Sequence, residues 1–183
     1  DPQESCEQVH FQVPVLLHEM PQLTLAAVNG ACAGAGFGWA CGCDIRVACE
    51  TAMFNTAFLN VALAGDMGLP WSLPRLVGAA KARELSFFTQ KFDAREAHRI
   101  GLVARVFSDN RFSDEVEELV QQFLNRSPTA LSVMKAHYNA AESMPMSDYV
   151  DLETERHQKI ASGKHAAEAF KAFVEKRKPE FDD

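Results

Sequence analysis

Leu23-Thr-Leu-Ala-Ala-Val-Asn-Gly-Ala-Cys-Ala-Gly-Ala-Gly-Phe-Gly-Trp-Ala-Cys-Gly-Cys-Asp44 is the stretch around which the chain organises. An apolar β-type run over residues 23–28 reaches a turn pair at Asn29-Gly30. Small residues follow (Gly34, Ala35, Gly36, Gly38) and lead into a short apolar helical segment that ends at Asp44. Glycines allow a helix to begin where the backbone must approach something closely. The first N–H groups of a helix have no partner within it. Such donors suit an anion, or a carbonyl oxygen that becomes negative during a reaction.

Outward from this stretch, the apolar spacing of residues 8–20 predicts a helix. Residues 44–49 read as a second strand and residues 52–55 as a short third. A loop over residues 65–70 precedes a helix through Leu76, and residues 81–88 are helical. Asp93-Ala-Arg-Glu96 has the form of a capping box, with Asp93 on the backbone and Glu96 reaching back. That helix stops at Gly101, before a strand over residues 102–107. Phe112, Val116, Leu119, Val120, Phe123 and Leu124 then recur at helical spacing. Ser127-Pro128 is a second helix start, an N-cap followed by proline at the first helical position. Further helices run to Met144, from Ser147 and from about Lys164. The expected fold is therefore an α/β core over residues 1–126, followed by a helical region over residues 127–183 whose apolar faces seek a partner.

The chain has 183 residues, 18 Lys and Arg against 25 Asp and Glu, and a net charge of −7, which argues against a nucleic-acid surface. No unbroken apolar run reaches membrane-spanning length, and the first residues lack a secretory layout, so no membrane association and a cytoplasmic location are expected. Any anionic ligand needs a local basic patch. Lys171, Lys176, Arg177 and Lys178 supply one, or else form a solvated helix end. Of five cysteines, Cys32, Cys41, Cys43 and Cys49 lie without zinc-ligand spacing and read as small buried apolar residues, reduced thiols of an intracellular protein. His98, His137, His157 and His165 fall on helices with no paired ligand, so no metal site is expected. Asp44 reads as a turn acid at a strand start. On residues alone, Gly65-Asp-Met-Gly68 is turn chemistry in which Asp66 bonds its own backbone.

Four blocks, in order and at family spacing, resemble the enoyl-CoA hydratase/isomerase (crotonase) superfamily. They are Ala27-Val-Asn-Gly-Ala-Cys-Ala-Gly-Ala-Gly36 leading to Cys43-Asp-Ile-Arg46; Phe54 through Leu76-Val-Gly78; Asp93-Ala-Arg-Glu-Ala-His-Arg-Ile-Gly-Leu-Val103; and Ala172-Phe-Val-Glu-Lys-Arg-Lys-Pro-Glu-Phe181. The resemblance implies a spiral of strand–strand–helix turns, a C-terminal trimerisation region giving a homotrimer or hexamer, and acyl-CoA thioesters as substrates, with no tightly bound cofactor. It also implies that the family domain begins before Asp1, and that the earlier part supplies one of two oxyanion-hole amides. The other amide matches Ala35.

Hydratases of the family use two glutamates, whose positions here are Gly38 and Phe58. Neither residue can orient water. Asp66 matches the catalytic aspartate of several isomerases, with Phe37, Gly38, Phe58, Leu69 and Trp71 expected around the substrate. An apolar wall of Phe58, Leu69 and Trp71 would raise the Asp66 pKa. Phe173 and Lys176 match residues that meet the CoA adenine and phosphates, unless Phe173 packs inward and Lys176 is merely solvated. The expected activity is double-bond isomerisation. Two alternatives are a hydratase or other lyase of the same family, and a non-catalytic acyl-CoA-binding or assembly subunit.

Overall fold

A computed structural model describes residues 8–181. The chain forms two compact units, one holding the described residues up to Met20 with Thr24–Val116, the other holding Pro21–Leu23 with the residues from Glu117 onward. Among the described residues no helix is long and apolar enough to cross a membrane.

In the first unit a 3₁₀ turn at Gln8–Gln12 runs into α1 (Val13–Glu19). Pro14 is tolerated in its first turn because the N–H there has no intrahelical acceptor. The decisive stretch becomes β1 (Leu25–Val28), β2 (Ala31–Ala33) and α2 (Ala35–Gly42). Next come β3 (Ile45–Cys49), β4 (Met53–Asn55), a 3₁₀ turn at Phe58–Val61, α3 (Leu69–Val77) and α4 (Ala79–Phe88). Then β5 (Phe92–Asp93), α5 (Ala94–Arg99) and β6 (Arg105–Phe107) lead to α6 (Phe112–Leu124). Two small sheets result. One has the order β1-β3-β6, all parallel, and the other has β2 parallel to β4 and β5 antiparallel to β4.

Phe37, Phe54 and Phe92 meet at the centre with ring centroids 5.5–6.1 Å apart, and Phe37 has no exposed surface. Side chains this large contribute most of a core's burial energy. Cys32, Cys41 and Cys49 are buried with them as expected, while Cys43 is only partly so. Burial pushes the Cys32 thiol up to about 11 and that of Cys41 to about 12, which leaves both protonated and inert.

Among the described residues of this unit, Arg46 is the one buried guanidinium. It donates from Nε to the Leu102 carbonyl at 2.8 Å and from Nη1 to the carbonyls of Ala40 and Cys43, at the C-terminal end of α2. A cation there satisfies carbonyls that have no helical donor and complements the helix dipole. Asp44 is the turn acid expected: its Oδ2 accepts from Thr24 N at 2.7 Å and from Thr24 Oγ1 at 2.8 Å, tying the start of β3 to β1.

The capping box at α5 forms only by half. Glu96 N donates to Asp93 Oδ1 at 2.8 Å, but the Glu96 carboxylate turns to Arg99 at 2.6 and 2.7 Å instead of reaching back. A charge-assisted pair one helical turn away is a stronger partner than a neutral amide.

In the second unit α7 (Pro128–Ala141) starts as expected, with Ser127 Oγ accepting from Ala130 N and proline in the first turn. It is followed by α8 (Met146–Ala161) and α9 (Lys164–Glu175). Lys135 is buried and donates to the Gln22 carbonyl at 3.0 Å, and Arg156 links α8 to the Ala136 carbonyl of α7. On α9, Phe170, Phe173 and Val174 stand exposed.

Candidate active site

The site is built on the first turn of α2 and the loop before α3. Gly34 precedes the helix at φ 53°, ψ −125°, a conformation that glycine adopts without penalty, and its N–H donates to the Asn55 carbonyl at 3.1 Å. This bond fixes the helix start to the end of β4. Ala35 is then the first helical residue, and its N–H has no acceptor within the helix.

Between β4 and α3 the backbone is held in the left-handed region at Ala57, Ala62, Gly65, Met67 and Gly68. Three of these residues are not glycine, and such positions cost of order 1 kcal/mol or more each. Asp66 lies between two of them. Its Oδ1 is buried without a hydrogen-bond partner, and among the described residues the carboxylate makes no hydrogen bond or ion pair. It is therefore not the self-bonded turn aspartate that its local sequence suggests; only its backbone carbonyl takes part in the turn, accepting from Leu69 N at 3.0 Å. Loss of water around the carboxylate raises its pKa above the ordinary value of 3.8.

Gly38 holds that loop against α2. A Cβ at this position would lie 2.5 Å from Met67 Cβ and 2.9 Å from the Met67 carbonyl oxygen. The backbone next to Asp66 thus occupies the volume in which a side chain at position 38 would begin. Gly38→Ala is expected to destabilise the protein by about 1–3 kcal/mol, read as a lower midpoint in urea unfolding; an unchanged midpoint would show that the loop yields freely.

A cavity of about 310 Å³ adjoins the loop, lined by Phe58, Gly65, Leu69, Leu73 and Phe87 among others. Phe58 links it to the helix start, because the Phe58 ring lies 3.9 Å from where a Cβ of Gly34 would stand. Of the pocket residues expected from sequence, Phe58 and Leu69 line this cavity, whereas Phe37, Gly38 and Trp71 do not. Phe37 belongs to the core. Gly38 packs on the Asp66 loop. Trp71 is half exposed, with Arg75 stacked 3.7 Å from its ring centroid. Sequence reasoning missed Arg83 and Ser86, which also line the cavity; their spacing of three on a helix was the available signal.

In the second unit Phe173 is 83% exposed, and Lys176 closes α9 in a left-handed conformation with φ 54°. Arg177 is not available to an anion in the same way: it is held by Glu168 and by Glu175, and this pairing keeps the Glu168 carboxyl down at about 2. The basic cluster therefore reduces to its lysines. Among the described residues no group of His, Cys, Asp or Glu gathers as metal ligands.

The model of the family "Enoyl-CoA hydratase/isomerase" matches residues 2–183. The chain is 32% identical over 177 residues to the 1,2-epoxyphenylacetyl-CoA isomerase of Escherichia coli (strain K12), covering 97% of itself and 68% of that protein. It is 33% identical over 165 residues to a probable enoyl-CoA hydratase of Rhodobacter capsulatus, covering 90% of itself but only 64% of that relative. The crystal structure of an enoyl-CoA hydratase from Polaromonas sp. JS666 superposes with a TM-score of 0.90 at 32% identity, over 94% of this chain and 67% of that one. The chain belongs to the enoyl-CoA hydratase/isomerase family, has its crotonase-like α/β fold with C-terminal helices, and spans about two thirds of these relatives' length.

Proposed function

We propose that this protein acts on acyl-CoA thioesters as an enoyl-CoA double-bond isomerase, with Asp66 as the base and the Ala35 amide as one donor of the oxyanion hole. The observation that carries this reading is the Asp66 carboxylate: its Oδ1 is buried without a partner, and strained backbone flanks it on the loop that packs against α2. Its raised pKa moves it toward the range useful for proton transfer near neutrality.

Moving a double bond from the 3,4 to the 2,3 position needs a proton taken from C2 and a proton returned to C4. The thioester makes C2 acidic because electron density passes to its oxygen, where an amide donor stabilises the negative charge. One carboxylate suffices for both transfers: it gains the proton from C2 and gives it up at C4. Hydration needs a second group to activate water, and both family glutamate positions are filled otherwise here, position 38 by the Met67 backbone and position 58 by an aromatic ring. The cavity next to the Asp66 loop, which Gly65 lines and Asp66 itself does not, is assigned to the acyl group. Phe173 and Lys176 are assigned to the CoA adenine and a phosphate, and the exposed apolar residues of α9 to assembly of a homotrimer or hexamer. The chemistry needs no tightly bound cofactor.

A 3-enoyl thioester should be converted to its 2-enoyl isomer with no uptake of water, while a 2-enoyl thioester should not be hydrated. Both are read by the ultraviolet absorbance of the conjugated thioester together with product mass. Hydration of the 2-enoyl ester without isomerisation would replace this reading with the lyase one, and absence of turnover on both would favour a binding subunit.

A further inference from the structure

The cavity next to the Asp66 loop is not uniformly apolar. Arg83 and Ser86 lie one turn apart on α4 and line it together with the apolar side chains of Phe58, Leu69 and Leu73. The other polar groups nearby are already engaged. Thr56 Oγ1 donates to the Leu85 carbonyl at 3.0 Å, and Lys81 is paired with Glu84 at 2.8 Å. Arg83, by contrast, is held by no hydrogen bond or ion pair among the described residues, although it is an exposed cation in a chain of net charge −7. A guanidinium offers five N–H donors in a planar fork that fits a carboxylate through two parallel bonds. A wholly apolar acyl group filling the cavity would strip water from part of this fork and give nothing in return.

We infer that Arg83, with Ser86, selects acyl groups that end in an anion, so that the preferred substrates are CoA thioesters of dicarboxylic acids with an apolar middle. The middle of the chain packs on Phe58, Leu69 and Leu73, and the distal carboxylate reaches Arg83 at the solvent-facing wall. This rests on the assignment of the cavity to the acyl group, but not on the role of Asp66.

The test uses the full-length chain and two saturated esters that cannot be isomerised, adipoyl-CoA and hexanoyl-CoA, which share a six-carbon chain and differ in the terminal carboxylate. Calorimetric titration at low ionic strength should show adipoyl-CoA binding about tenfold more tightly, with the difference shrinking in salt because the pair is partly exposed. Arg83→Met should bring the two affinities together while leaving hexanoyl-CoA binding within about twofold of the unsubstituted chain, and Arg83→Lys should restore part of the preference. Equal affinities in the unsubstituted chain, a preference that survives Arg83→Met, or no saturable binding of either ester would each overturn the inference. Because these esters undergo no reaction, Asp66→Asn should keep the preference. A failure of the isomerase assignment and a failure of the dicarboxylate assignment are thereby told apart.

Discussion

Asp66→Asn is expected to abolish isomerisation, by a factor of about 10²–10⁴, the usual contribution of a positioned general base, while leaving the fold no less stable. The two halves of this expectation have one cause. The native carboxyl has a pKa raised by desolvation, with no compensating donor. A folded-state value above the unfolded one means that the protonated form is favoured by folding. That stability is present at acid pH, below the unfolded pKa, and is lost as pH rises through the folded value. At neutral pH the ionised group is therefore a burden that asparagine lacks, so the thermal midpoint of Asp66→Asn should equal or exceed that of the unsubstituted chain. The acidic limb of the pH dependence of kcat/KM should fall at a pKa above the ordinary carboxylate value, and this limb should vanish in the variant. A midpoint several degrees lower, with activity retained, would make Asp66 a structural turn residue and remove it from the chemistry.

Ala35→Pro should remove the proposed oxyanion donor without removing the helix, and should lower kcat by about 10²–10³, the typical cost of one such donor. Proline is tolerated at the first helical position because the N–H it lacks has no intrahelical partner and its fixed φ suits the helix. The residue before it is compatible as well. Gly34 stands at φ 53°, ψ −125°, outside the α-helical region that a following proline disfavours. Affinity for a saturated CoA ester should change far less than kcat, since an amide aimed at developing charge acts chiefly on the transition state. Equal losses in affinity and turnover would place the Ala35 amide on the ground-state thioester. An unchanged kcat would remove it from the reaction.

Much of the architecture is written locally. The strand–turn–helix of residues 23–44, the Asp93 and Ser127 caps, and the stop at Gly101 all rest on neighbours a few residues apart, and all formed. The strands that carry no sequence signal are β2 and β5, of three and two residues. Strands this short have no periodicity of their own and exist because β4 pairs with both. The site was legible only in part for a similar reason. Apolar residues suit a cavity wall and a core equally well: Phe37 and Phe58 both pack in the core, and only tertiary packing gives Phe58 a second face on the cavity. Trp71 took a local partner, Arg75 four residues on, at 3.7 Å. The absence of a partner at Asp66 depends on the whole loop, and no local pattern encodes it.

The closeness of Gly38 to the Met67 backbone also bears on how such a protein could change its chemistry. Installing glutamate at position 38 alone would drive a side chain into a neighbouring peptide, so gaining a water-activating acid would displace the loop that holds Asp66, the proposed proton-transfer base. The two catalytic designs are separated by a fitness valley: crossing it takes concerted replacement of residues 38 and 65–68, and any laboratory evolution toward water addition should begin with libraries that vary those positions together.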